Sequence, residues 1–438
     1  MNTRYNLSST IVLSVMVLLF GFSAYGQDGP APSQQRSILI TGATVHIGNG
    51  QVIEDGAVGF DGGVIQFVGT AAQAGTRGWD QIMDAKGKHV YPGFITPNST
   101  LGLGEIDAVR ASVDDYEIGT FRPNVRSVIA FDTESEITPT VRTNGVLLGQ
   151  ITPRGGTISG SSGIVHFDGW NWEDAAIALV DGIHLNWPYM HHRHRGDGKP
   201  EVRKAKTYDQ QKHEIERFLA EAKAWCDAPA EVTEVKFAAM CGVFTGELRL
   251  YVHADDIKQI TEAVNLKRKL NIPHMVIVGG GDSHLCTELL KANNIAVMVQ
   301  RLHSNPRFAE DDIDLTYRLP ALLDAAGVLF CLENAGDMER MGTRNLPFYA
   351  GTSVAYGLDY EKAVQSITLN AAKILGIDGR FGSLEVGKSA TLFISEGDAL
   401  DMMGNQVSAA FIDGRSIRLT NRQTELYLKY KNKYDAGE

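Results

Sequence analysis

The chain has 438 residues, 43% of them hydrophobic and 21% charged, with a formal net charge of −11. That length and balance describe a folded globular protein larger than one small domain. The negative charge argues against a general nucleic-acid binder, and the chain carries neither a Walker-type phosphate loop nor zinc-finger cysteine spacing.

In chain order, the first segment reads as a leader rather than as fold. Arg4 supplies a positive start, "IVLSVMVLLFGF" (Ile11 to Phe22) is an uncharged apolar run, and Ala24-Tyr25-Gly26 puts small residues where a signal peptidase reads. We expect residues 1–26 to be a signal peptide and the protein to be secreted or periplasmic. The alternative is an uncleaved anchor. No Cys follows the run, which argues against a lipoprotein anchor, and no later apolar segment has the length of a membrane span.

After the linker "GQDGPAPSQQ" the pattern becomes β. "SILITGATVHIGNG", "VIEDGAVGFDGG" and "VIQFVGT" are short alternating runs separated by Gly, Asn and Asp turns. "GSLEVGKSATLFISEGD" and "QVSAAFIDGRSIRLT", near the other end, have the same character. Either block alone has too few strands to bury a core. Residues 27–92 and 379–420 are therefore expected to form one composite β-sandwich domain, with residues 93–378 inserted between them.

The middle alternates brief apolar strands ("GVLLGQITP", "LRLYVHADD", "HMVIVGGGDS", "IAVMVQ", "GVLFCLENAGD") with helical segments such as "DIKQITEAVNLKRKL". Strands apolar on both faces, alternating with amphipathic helices, predict parallel βα units, and this length suits a TIM-like (β/α)8 barrel. "KAVQSITLNAAKILGI" reads as one periodic helix closing the barrel, and residues 421–438 as a charged C-terminal helix. Cys331, inside "GVLFCL", is expected to be a buried free thiol. Whether Cys226 and Cys241 bridge a loop is left open.

Each of these strands ends in polar residues: Asn98 and Thr100; His253, Asp255 and Asp256; Asp282 and His284; Arg301 and His303; Glu333, Asn334 and Asp337. In a βα barrel such ends gather on one face, and that face carries the active site.

Two phrases carry a resemblance. "GKHVYPGFITPNSTLG" resembles the first barrel strand of the amidohydrolase superfamily, usually Pro-Gly-Leu-Ile-Asp-x-His-x-His. "SITLNAAKILGIDGRFGSLEVGKSATLFISEGDAL" resembles its last barrel helix and return strands, in the imidazolonepropionase-like branch. The resemblance implies a TIM-like barrel with a composite β domain, hydrolysis of carbon–nitrogen bonds, and a zinc or other divalent-metal site at the strand ends. There one or two cations would turn water into hydroxide.

Against that pattern, Asn98 and Thr100 stand where the family has two histidines, and Gly279 to Gly281 where it has another. Asn334 stands where it has the metal-binding Asp, while His253 is retained. Lys236 is the nearest and a poor candidate for the strand lysine. Neutral amide and hydroxyl oxygens are weak ligands for a transition metal, so no metal ligand is assigned and no tightly bound metal is expected.

In a metal-free site His253, Glu333 and Asp337 are the expected catalytic residues. Asn98, Thr100, Arg301 and Asn334 are expected to bind substrate. His191, His192 and His194 form a separate histidine-rich loop read as solvated. Trp170, Trp172, Trp187 and Tyr189 could line a pocket or a contact, or fill the core. Two readings of function follow: a small-molecule hydrolase with a degenerate metal site, or an inactive relative that binds a small molecule or partners an active homologue. Homo- and hetero-oligomers are both compatible with the second.

Overall fold

The computed structural model describes residues 29–75, 78–195, 200–228 and 233–435, with the side chains of 192–195 and 200–204 excepted. The leader therefore lies outside the described residues. Strands β1 (Ile38–His46), β2 (Val52–Asp61), β3 (Val64–Thr70), β4 (Gln81–Asp84) and β5 (His89–Pro92) come from the N-terminal part of the chain. The tight β2–β3 connection uses Gly62 and Gly63, both at positive φ, the backbone that lets a two-residue turn follow the strand twist.

The barrel strands are β6 (Phe94–Ser99), β7 (Val146–Ile151), β8 (Ile158–His166) and β9 (Ala176–Asn186), followed by β12 (Arg249–Ala254), β13 (Met275–Gly279), β14 (Ala296–Val299) and β15 (Phe330–Leu332). A separate ribbon pairs β10 (His191–Arg195) with β11 (Pro200–Lys204). The chain then returns with β16 (Leu392–Ser395), β17 (Val407–Ile412) and β18 (Arg415–Ser416).

Both ends build one sheet, in the order β18-β17-β16-β5-β1-β2-β3, with β4 beside β1. The seam is β5 against β16, antiparallel, with Tyr91 opposite Phe393 and their rings 5.4 Å apart. Ile40, Val45, Phe60 and Ile65 from one end share a buried core with Leu392, Ile394 and Phe411 from the other.

The barrel sheet runs β6-β7-β8-β9-β12-β13-β14-β15. It is a nearly closed α/β barrel with one departure from eight βα repeats: β8 is antiparallel to both β7 and β9, while the other pairs are parallel. The stretch from β7 to β9 is thus a meander, because the connections there are too short to carry a crossover helix. Every residue of β6, β7 and β14 is buried, as strands covered on both faces must be.

The segment read as one closing helix is two, Tyr360–Ser366 and Leu369–Leu375. Between them the Ile367 carbonyl accepts from the Ile95 N–H of β6 at 2.9 Å. The helix breaks because its backbone serves the free edge of the barrel instead.

Cys226 and Cys241 form a disulfide between the helices Tyr208–Asp227 and Val235–Thr245. Cys331 is buried and free, and Cys286 is half-buried and free. Among the described residues no helix is long and apolar enough to cross a membrane.

Candidate active site at the strand ends

β6 delivers Asn98 to the mouth of the barrel in a left-handed backbone conformation (φ +49°), a conformation asparagine tolerates better than most residues. Its backbone N–H donates to Gln150 Oε1 at 3.0 Å, and its side-chain Nδ2 donates to Glu333 Oε2 at 3.3 Å. Thr100 lies just past the strand. Its N–H and hydroxyl both donate to Glu339 Oε1, the first at 2.9 Å.

Arg154, which follows β7, is the hub. Its Nη1 donates to Asn98 Oδ1 at 2.8 Å. Its Nη2 donates to the Asn98 carbonyl at 2.7 Å and to the two Glu339 oxygens at 3.0 and 3.1 Å. Glu339 also accepts from the Gly336 N–H at 3.1 Å. One guanidinium thus joins the end of the first strand to the short helical turn Glu339–Gly342 that follows the last.

A second polar chain runs through the barrel interior. His253 Nε2, at the end of β12, is 2.9 Å from His184 Nδ1, and His184 Nε2 is 2.9 Å from Ser162 Oγ. Ser162 donates to Asp181 Oδ1 at 2.7 Å, and Tyr251 and Gln150 donate to Asp181 Oδ2 at 2.6 and 2.8 Å. Gln150, bonded also to Asn98, ties the two chains together.

Burial sets the electrostatics. It pushes the Glu333 carboxyl up to about 8, against the opposing pull of the Ala335 N–H and Arg154, with Glu339 adding to the rise. Burial, then Arg154, pushes His253 down to about 3. Burial would also raise Glu339, but Arg154, Thr100 and the Gly336 N–H outweigh it, so its net shift is downward. At neutral pH the mouth therefore presents a protonated Glu333, a neutral His253, and an Arg154–Glu339 ion pair. Glu333 can give a proton, His253 can accept one, and the ion pair can orient a polar group.

Of the residues picked from sequence, Asn98, Thr100 and Glu333 fall within this network. His253 joins it through His184. Asn334 is buried, but its Nδ2 donates to the Glu339 carbonyl at 2.8 Å, so it holds the Glu339 turn. Asp337 is exposed, and its carbonyl accepts from Arg301 at 2.7 Å. Lys236 is exposed on the helix Val235–Thr245. His191 lies on the β10–β11 ribbon, while the side chains of His192 and His194 are outside the described residues. Trp187 is buried, whereas Trp170 and Tyr189 are each 70% exposed, so the aromatics form no single lining.

Sequence reasoning missed Arg154, Glu339, Gln150, Ser162, Asp181 and His184. Arg154 in "ITPRGG" follows a predicted strand and the strand-end rule would have included it. His184, alone in an apolar run, carries no local signal.

A cavity of about 940 Å³ is lined by residues that follow β12, β13 and β14, among them Asp256, Asp282, Arg307 and Phe308. Arg307 pairs with both Asp256 and Asp282. Asn98, Arg154, His253, Glu333 and Glu339 do not line it. Among the described residues no three His, Cys, Asp or Glu side chains converge as a metal-holding group.

A nearly closed barrel, a sheet drawn from both chain ends and polar groups converging at the strand ends define an α/β-barrel protein with a composite β domain. In comparison with known proteins, residues 213–417, from within the helix Tyr208–Asp227 to the return strands, match the amidohydrolase family. An amidohydrolase from Thermotoga maritima has the same fold, with a TM-score of 0.76 at 23% identity over 87% of this chain and 99% of that one. The curated protein Amidohydrolase tasK of Hapsidospora irregularis is 21% identical over 369 residues. That match is 76% of this chain and 37% of the relative. An imidazolonepropionase of Bacillus thuringiensis is 47% identical over 53 residues, 12% of each chain. The chain thus spans little more than a third of the first relative and about an eighth of the second.

Proposed function

We propose that this protein is an exported amidohydrolase-like hydrolase of small molecules with non-peptide or small peptide-like C–N bonds, of imidazolonepropionase-like descent, working without a tightly held transition metal. The observation that carries the reading is the Arg154 guanidinium between Asn98 and Glu339. It supplies a fixed positive charge at the strand ends, where a related enzyme would place a divalent cation.

The donor set does not fit zinc. Asn98 and Thr100 offer neutral oxygens, and both are already bonded to Glu333, Glu339 or Arg154. Asn334 Nδ2 donates to a backbone carbonyl and leaves only its neutral Oδ1 buried without a partner, β13 ends at Gly279, and the imidazoles of His184 and His253 are bonded to each other. Even two unit charges 4 Å apart repel by about 4 kcal/mol at an effective dielectric of 20, and a divalent ion beside Arg154 would face more. In this reading Arg154 and Asn98 hold a carbonyl, Glu333 donates a proton to the leaving nitrogen, and neutral His253 accepts one from water. Asp337, exposed after β15, and Arg301, half-buried after β14, would contact the distal part of a substrate.

Export is supported by the leader and by the Cys226–Cys241 disulfide, since such bonds persist in oxidising compartments. A mature N-terminus near Gln27 is the expected outcome of mass spectrometry on protein from the native host.

The functional test combines elemental analysis with a screen of small amides, lactams and dipeptides, with and without added zinc or manganese. Turnover that needs no metal and falls about 100-fold in His253→Ala supports the proposal. One equivalent of zinc, lost in His253→Ala, overturns it. A second reading, a non-catalytic binding protein, is favoured by the internal pairing of Arg154 with Glu339. Saturable binding without turnover of any compound would select it.

A further inference from the structure

We propose that Asp181, Ser162 and His184 are positioning residues that fix which ring nitrogen of His253 carries its proton. The inference rests on the reading of His253 as the basic group of the site, and follows from counting donors along the buried chain. Asp181 is 4% exposed and has three donors within hydrogen-bond distance, Ser162 Oγ, Tyr251 OH and Gln150 Nε2. Burial raises its carboxyl and these three bonds oppose that rise; we take it as the carboxylate, which accepts from all three. A hydroxyl has one proton, and Ser162 spends it on Asp181 at 2.7 Å. Its only other acceptor given by the geometry, the Gly182 carbonyl at 3.4 Å, would use that same proton.

Toward His184, Ser162 can therefore only accept. His184 must carry its proton on Nε2, 2.9 Å from that oxygen. Its Nδ1 then holds a lone pair, and the nitrogen 2.9 Å away, Nε2 of His253, must be the donor. The remaining nitrogen of His253, Nδ1, is left as the base. Ser162 and His184 are fully buried, so water does not compete for these bonds. The three residues come from β8 and β9, and the meander that reverses β8 is what brings Ser162 beside His184. A third group that orients a histidine base is a recurring device, here reached through two intermediates.

The test is long-range proton–nitrogen correlation NMR on EDTA-treated full-length protein labelled with [15N]histidine. The expected wild-type spectrum shows His184 and His253 both protonated on Nε2 at neutral pH. Ser162→Ala removes the acceptor and should shift both rings together toward the other tautomer or a mixture, while Ser162→Thr should keep the wild-type pattern. Asp181→Asn, which offers Ser162 an amide in place of a carboxylate, serves as the second variant should Ser162→Ala fail to fold.

A purely structural role would lower the melting temperature without moving the tautomers. A wild-type His253 protonated on Nδ1, an unchanged pattern in folded Ser162→Ala, or zinc retained through EDTA and bound by both rings each overturns the proposal. None of these readouts depends on turnover, so loss of the hydrolase reading would be seen separately, in the substrate screen.

Discussion

Arg154 Nη2 lies 3.0 and 3.1 Å from the two carboxylate oxygens of Glu339, and the two residues are 185 positions apart in sequence. The pair closes the barrel mouth electrostatically where β6 and β15 stand at opposite ends of the strand order. Its side chains are 26% and 10% exposed. Removing the cation would leave Glu339 buried with hydrogen bonds but no counter-charge. Arg154→Met is expected to lower the unfolding free energy by about 3–5 kcal/mol, and adding Glu339→Gln should recover much of that loss. Urea unfolding of the two single variants and the double checks it. Additive losses would refute the coupling.

Glu333 should make stability pH-dependent. Its carboxyl sits at about 8 in the folded protein against 4.5 ordinarily, raised chiefly by burial. Below the lower value both folded and unfolded chains are protonated, and the group contributes nothing. Between the two values the unfolded chain releases its proton while the folded one keeps it. Stability is therefore lost as pH rises, and the cost is complete above about 8. Glu333→Gln removes this term. Relative to wild type, the variant should gain on the order of 2–4 kcal/mol on going from pH 5 to pH 9. An equal difference in unfolding free energy at the two pH values would sink the assignment. A protonated-carboxyl infrared band at pH 7 that disappears in Glu333→Gln would add direct support.

The Cys226–Cys241 disulfide joins two helices packed outside the barrel. Closing a loop of 15 residues is worth about 3 kcal/mol in the chain-entropy account. The Cys226→Ser/Cys241→Ser protein should be destabilised by roughly that amount. Denatured wild type should titrate two thiols before reduction, from Cys286 and Cys331, and four after. Four thiols in protein purified without reductant would contradict the bridge.

Arg340, 8% exposed and adjacent to Glu339, pairs with Asp107 and Asp115 and donates to the Thr100 carbonyl at 3.3 Å. It pins the long segment after β6 to the same turn that carries Glu339. Burial raises the Asp115 carboxyl, and Arg340 opposes that rise. Arg340→Met should accelerate amide exchange in residues 105–116 by about tenfold or more, because an orphaned partner costs upwards of ~1.4 kcal/mol. Exchange in β12–β14 should stay unchanged. Uniform acceleration everywhere would indicate global destabilisation and defeat the local role.

The fold class, the sheet drawn from both ends and the strand-end location of the polar residues were legible because each rests on local periodicity. Alternating runs such as "SILITGATV" and doubly apolar runs such as "HMVIVGG" declare their faces within a few residues. Only the tertiary structure decided what the polar residues do. The reversal of β8 and the split at Ile367 depend on hydrogen bonds to distant strands. Asn334, expected to bind substrate, donates from its Nδ2 to the Glu339 carbonyl, a bond its sequence position does not announce. Arg154 meets Asn98 across 56 residues, and His184 meets His253 across 69. Sequence spacing carries no trace of such pairs, because burial and chain closure, not local propensity, bring their donors and acceptors together.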